Sequence, residues 1–266
     1  MAKAVFCLGD LFLQWRLTMA LIQMEFMSNS IQQYTSMNVL LPVDQWDCTE
    51  IGPFPTLYLL HGWGGNYSDW VCNSRIAVWA QRRGIAVVMP SGDNSFYLNY
   101  PEREEYYEKF IGEELIALTR KAFPLSDKRE DTWIAGLSMG GGGAIRCGLR
   151  YGQVFSKAAG LSSGITMGES AQKRGHGADT VQALQDALAA GDSLPDLFMT
   201  IGTEDSLLQN NREFHEILKK QGIEHIYEEH SGGHTWEYWD GHLPEVLEWL
   251  QDKGKYAKAP ELAEEV

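Results

Sequence analysis

A serine flanked by glycines, Gly136-Leu137-Ser138-Met139-Gly140, is the part of this sequence whose spacing points most directly to chemistry. The pattern G-x-S-x-G suits a very sharp strand-to-helix turn, which strains the serine backbone and projects the hydroxyl above a sheet. A strand-like run, Thr132 to Ala135, precedes it, and a helical stretch containing Gly141, Gly142, Gly143 and Ala144 follows. The N-terminus of that helix favours negative charge developing nearby. A hydroxyl placed this way attacks a carbonyl once a base takes its proton. In folds with this turn, an acid and then a histidine follow the serine along the chain. His234, in the glycine loop Ser231-Gly232-Gly233-His234, is the candidate base, because a loop beyond the last strand can reach over the sheet edge. His230 ends that strand and reads as a surface or packing residue, and His242 reads as a neighbour of the last helix cap. Asp205, in Gly202-Thr203-Glu204-Asp205, is the candidate to orient the imidazole. An aspartate there would also suit a helix N-cap.

Acyl transfer passes through an oxyanion that needs two hydrogen-bond donors. One is expected from the Met139 amide and the other from the Trp63 amide in Leu60-His61-Gly62-Trp63-Gly64-Gly65. His61 precedes the serine, so a structural hydrogen-bonding role is expected for it. The residues expected to line a substrate pocket are His61, Gly62, Tyr97, Trp236 and Trp239, although aromatics pack cores as readily as they wall pockets. The charge run from Glu102 to Glu108 reads as a solvated helix face.

These groups need a scaffold. Residues 21–27 and 35–41 read as two strands around Ser28-Asn29-Ser30. Thr56 to Leu60, Ile85 to Met89, Thr132 to Ala135, Ala158 to Leu161, Leu197 to Ile201 and Ile223 to Glu228 read as further strands. Helices are expected over 69–83, 104–123, from Met139 to about Arg150, and over 180–190, 207–221 and 243–251. This alternation implies an α/β fold with a mostly parallel sheet covered on both faces, and a ligand site beyond the C-terminal strand ends.

The chain has 266 residues, enough for one sizeable core. Its formal net charge of −14 opposes binding to nucleic acid or to anionic lipid. Cys7, Cys48, Cys72 and Cys147 form neither a C-x-x-C pair nor a zinc spacing, which suits scattered thiols in a reducing, cytoplasmic setting. Lys3 and the apolar stretch to Trp15 resemble an export signal only faintly, because Asp10 interrupts the stretch. Residues 1–18 are expected to form an N-terminal extension and 19–254 the domain, with a variable insertion at about 164–193. Residues 255–266 are expected to form an acidic tail.

The motifs at 59–66 (Leu-Leu-His-Gly-Trp-Gly-Gly-Asn), 136–141, 202–205 and 232–236 together resemble the esterase D group of α/β-hydrolases. Within it they look closest to bacterial tributyrin esterases and to acetyl- and feruloyl-esterase-like proteins. Pro90 to Tyr97 adds to the likeness, which spans residues 19–251. The resemblance implies the α/β-hydrolase fold, with Ser138, Asp205 and His234 as nucleophile, acid and base, and Trp63 and Met139 as oxyanion donors. It implies no cofactor and no metal. It further implies a serine carboxylesterase for short-chain acyl or acetyl esters, small molecules or oligosaccharides, with a homo-oligomer compatible and no membrane partner. Feruloyl esterase and S-formylglutathione-type thioesterase or acyltransferase activities belong to the same group. The formylglutathione branch usually has a different early loop and ranks lower. Outside the enzyme class, the same fold could serve an inactive ligand-binding protein.

Overall fold

Short apolar runs bounded by glycine and proline become the buried strands that the alternation requires. The computed structural model describes residues 19–43, 52–174 and 177–252. The expected extension at 1–18 and the tail at 255–266 lie outside them. In chain order the strands and helices are β1 (Ala20–Ser28), β2 (Gln33–Leu41), β3 (Thr56–Leu60), α1 (Asp69–Asn73), α2 (Ile76–Arg83) and β4 (Ala86–Pro90). A two-residue hairpin of β5 (Asn99–Tyr100) and β6 (Glu105–Tyr106) leads into α3 (Tyr107–Lys109), which continues through a π turn at Phe110–Glu114 into α4 (Leu115–Ala122). Next come β7 (Thr132–Leu137), α5 (Met139–Arg150), β8 (Lys157–Leu161), α6 (Gly168–Arg174), α7 (Thr180–Ala190), β9 (Asp196–Gly202), α8 (Leu208–Lys220), β10 (His225–His230) and α9 (Trp236–Gln251).

Among the described residues one sheet has the order β1-β2-β4-β3-β7-β8-β9-β10. The pairs β1–β2 and β2–β4 are antiparallel, and the rest are parallel. This is the α/β-hydrolase arrangement. Side chains alternate between two cores, as strand geometry demands. Tyr58, Leu60, Val88, Ile134 and Met199 face one core with α4, α5, α7 and α8. Leu57, Leu59, Val87, Ala135 and Phe198 face the other with α1, α2 and α9.

Three expected elements differ. The helix over 69–83 breaks at Ser74, whose hydroxyl hydrogen-bonds the Trp70 carbonyl at 2.5 Å and competes with the helical ladder. The helix expected from Glu104 starts at Tyr107, after Glu104 adopts a left-handed φ of 56°. The last helix begins at Trp236 and carries Pro244 inside it. Gly241 and Pro244 had masked its first two turns.

Glu108 corrects the reading of 102–108 as a solvated face. It is 4% exposed, with Oε1 3.2 Å from Arg146 Nε and 3.1 Å from Arg150 Nε. Burial raises its pKa against the two guanidinium groups, which lower it. Arg146, itself 1% exposed, also donates to the carbonyls of Phe96 and Tyr97 at 2.7 and 2.9 Å. The network therefore ties α5 to the 91–97 loop. Removing one partner of a buried pair strands the other charge, so Glu108→Ala should lose about 3–5 kcal/mol in urea denaturation. Surface Glu102→Ala should change stability by less than about 0.5 kcal/mol.

Candidate active site

Ser138 is the single residue between β7 and α5, with φ 52° and ψ −119°. Its N–H donates to the Leu161 carbonyl at 2.9 Å, and its own carbonyl accepts from Gly164 and Gly142 at 2.7 and 3.1 Å. The turn works because Gly140 packs against the end of β3. A Cβ there would sit 2.6 Å from the Leu60 carbonyl oxygen and 2.5 Å from that of His61. Gly62 makes the same allowance from the facing loop, where a Cβ would meet Leu137 Cδ1 at 2.6 Å and Ser138 Cβ at 3.4 Å.

His234, in the loop between β10 and α9, reaches Ser138. Its Nε2 lies 2.9 Å from Ser138 Oγ and its Nδ1 2.8 Å from Asp205 Oδ2. Asp205 follows β9 and its side chain is fully buried. Burial would raise its pKa. Hydrogen bonds from His234 and from the Leu207 amide, with the Ser162 hydroxyl beside it, outweigh burial and hold the pKa below the ordinary carboxylate value. The two possible uses of Asp205 are thus divided between its oxygens. Oδ1 accepts from Leu207 N–H at 2.8 Å at the start of α8, while Oδ2 faces the imidazole. An ionised carboxylate makes Nδ1 the protonated nitrogen and leaves Nε2 free to take the serine proton. The Trp239 ring stands edge-on to His234, with centroids 4.9 Å apart.

Of the residues expected to line a pocket, Gly62 and Trp239 are buried, whereas Trp63, expected as an amide donor, presents its ring to solvent. Trp63 is 61% exposed and its ring lies 5.2 Å from Phe96. Trp236 is half-buried between Trp70 and Trp239, both edge-on at 5.3 Å. His61 and Tyr97 are corrected, since they are 1% and 0% exposed and offer a ligand no surface. They join loops instead. His61 Nε2 accepts from the Gly92 amide at 2.8 Å, so Nδ1 carries the proton and donates to the Gly62 carbonyl at 2.8 Å. The Tyr97 hydroxyl donates to the His61 carbonyl at 3.1 Å. Asn94, which sequence reasoning missed, accepts from the Gly64 amide at 2.7 Å. The Trp63 and Met139 amides have no acceptor among the described residues. His230 and His242 stack on one another at 4.4 Å and take no part in this arrangement. The missed Arg146 had one sequence signal, a lone charge inside the apolar, glycine-rich run 140–149.

A half-buried serine hydroxyl on a positive-φ residue, bonded to an imidazole on this sheet, defines a serine hydrolase of the α/β-hydrolase fold. Comparison with known proteins narrows the class, because the family described as "Putative esterase" matches residues 28–250. An acetyl esterase of Caldicellulosiruptor saccharolyticus is 37% identical over 261 residues, covering 87% of this chain and 98% of that protein. Among solved structures, the fluorophosphonate-binding serine hydrolase FphF of Staphylococcus aureus has a TM-score of 0.79 at 29% identity, covering 87% of this chain and 98% of its own. The S-formylglutathione hydrolase FrmB of the same organism has 0.78 at 30%, covering 88% and 99%. The chain belongs to this esterase family and is a serine-type ester hydrolase acting on small ester substrates.

Burial keeps His61 neutral, with its pKa below 6.5 despite the Gly62 carbonyl and nearby Asp69 and Asp93. Below about pH 6.5 the unfolded chain therefore binds a proton that the folded chain refuses. Stability should fall with acidification, this group adding about 1.4 kcal/mol per pH unit until its folded pKa is reached. Urea titrations between pH 5 and 7 should show a shallower slope in His61→Gln, the difference growing toward the acid end and reaching at most one proton.

Proposed function

We propose that Ser138 is the nucleophile, His234 the general base and then general acid, and Asp205 the group that orients and stabilises the imidazolium. The Ser138–His234–Asp205 relay at 2.9 and 2.8 Å carries this reading. The hydroxyl attacks the ester carbonyl as Nε2 takes its proton, and the oxyanion forms between the unpaired Trp63 and Met139 amides. Each such donor is typically worth about 3 kcal/mol of barrier. Collapse of the intermediate expels the alcohol with the proton from Nε2, leaving an acyl-serine. Water then repeats the sequence and releases the acid. The chemistry draws on side chains and amides alone and calls on no cofactor.

Short-chain acyl esters, acetyl esters foremost, are the proposed substrates, and acetylated sugars are included. The acetyl esterase relative of nearly equal length supports this assignment. The exposed Trp63 ring, tilted against the half-buried Phe96, supports an aromatic contact on the loop that carries the proposed amide donor, suited to the face of a sugar or a short chain. The likeness to FrmB favours a second reading, hydrolysis of an S-formyl thioester. The net charge of −14 supports no nucleic-acid partner. No helix among the described residues is long and apolar enough to cross a membrane. The free Cys72 and Cys147 suit the proposed cytoplasmic location.

Hydrolysis of p-nitrophenyl acetate, butyrate and octanoate, methyl ferulate and S-formylglutathione tests these assignments. Acetate or butyrate should be turned over best, and Ser138→Ala should lower kcat/KM by at least about 10³-fold. A preference for the thioester would select the second reading, and full activity in Ser138→Ala would refute both. Trp63→Ala keeps the proposed amide donor, so its kcat on acetate should stay within about tenfold of wild type. A loss of roughly 10²–10³ would instead assign the oxyanion contact to the side chain.

A further inference from the structure

Four side chains of types that can ligate metals meet between β10 and α9, the elements that flank the His234 loop. Glu228 and His230 are two apart on β10 and so share one face of the strand. His242 and Glu245 are three apart on α9 and share one face of the helix. The two faces oppose each other. The imidazoles of His230 and His242 stack with centroids 4.4 Å apart. His230 Nε2 lies 3.4 Å from Glu228 Oε2, and His242 Nδ1 lies 3.7 Å from Glu245 Oε2. One ligand atom each from His230, His242 and Glu245 falls within 4.8 Å of the others, the one such cluster among the described residues. Glu228 also stands beside Glu245.

We infer that this cluster is a binding site for a divalent transition-metal ion, Zn²⁺ by its donor set, with His230, His242 and Glu245 as ligands and Glu228 completing the shell. Two imidazole nitrogens with carboxylate oxygens suit zinc, whereas calcium and magnesium favour oxygen alone. Tetrahedral zinc with bonds near 2.0–2.1 Å spaces its ligands about 3.3 Å apart. The side chains therefore need to close by at most about 1.5 Å from their present spacing, which rotamer changes in four partly exposed residues supply. The cation would also neutralise the paired carboxylates.

Its position gives it a consequence. The ligands flank residues 231–235, the loop that carries His234, with two on the strand before it and two on the helix after it. A metal bound there clasps both ends of that loop, and Tyr238, 4.3 Å from His242 and bonded to Thr200, links it to β9. The role is structural, since none of the four ligands shares a hydrogen bond with Ser138, His234 or Asp205.

The test uses the full chain, stripped with chelator and dialysed against Zn²⁺, with bound metal counted by mass spectrometry and affinity set by competition with a chromogenic chelator. The expected result is one Zn²⁺ per chain, weakened about tenfold or more in Glu245→Gln and lost in the His230→Ala/His242→Ala double variant. His215→Ala, which breaks the other histidine pair at His225, should retain the ion. Wild type should unfold roughly 5–10 °C higher with Zn²⁺ at a hundredfold excess over Kd, and Glu245→Gln, a near-isosteric change at a partly exposed residue, should gain less. Less than half an equivalent bound by wild type overturns the proposal, as does an equivalent that survives the double substitution or is lost in His215→Ala. Tighter binding of Ca²⁺ than of Zn²⁺ would exclude imidazole ligation and overturn it too.

Discussion

A strand can become a helix within one residue only where the neighbouring chain leaves no side chain in the way. At Ser138 that clearance is set by two glycines, as Gly140 rests against the carbonyls of Leu60 and His61 and Gly62 against the side chains of Leu137 and Ser138. The left-handed serine conformation is costly for a residue with a Cβ, and it persists because hydrogen bonds from β8 and from the 162–164 loop hold it. From this contact the rest of the site follows. The hydroxyl stands clear of the sheet, the first amides of α5 face the same space, and the β3 loop is close enough to contribute its own.

The groups around the serine are held by polar connections between loops and by an aromatic chain. His61, in one tautomer, joins the β3 loop to the β4 loop. Across the site, Trp70 donates to the Leu60 carbonyl at 3.0 Å, and its ring meets Trp236, which meets Trp239, which meets His234. The end of β3 and the imidazole are thus registered against one another through rigid rings, each with only two side-chain torsions to fix.

Much of this was legible in the sequence, for identifiable reasons. Buried parallel strands are short apolar runs, and Thr56 to Leu60 and Thr132 to Ala135 stand out as such, the second running on to Leu137 in the fold. Ser138, Asp205 and His234 each follow a strand end, and the glycine-flanked motif, the loop positions and the chain order together point to them. The roles of His61, Tyr97 and Glu108 were not legible, because burial depends on what folds over a residue. Glu108 lies in a run of charges that looks solvated until α5 delivers Arg146 against it. The stacking of His230 on His242 was equally hidden, since a strand end and a helix twelve residues later meet only in the folded chain. Pro244 marked a helix start by its usual preference, yet it sits inside α9, where the Arg83 guanidinium bonds its carbonyl at 3.0 Å.

The buried Arg146–Glu108 pair also bears on heat. Withdrawing charges from water costs less as temperature rises, because ionic hydration carries a strongly negative entropy, whereas the gain from burying apolar surface levels off. Arg146 is the group that grips the carbonyls of Phe96 and Tyr97, and through Tyr97 and His61 that grip extends to the loop carrying Trp63. The loop that carries Trp63 is therefore fastened by the kind of contact whose desolvation cost falls on warming.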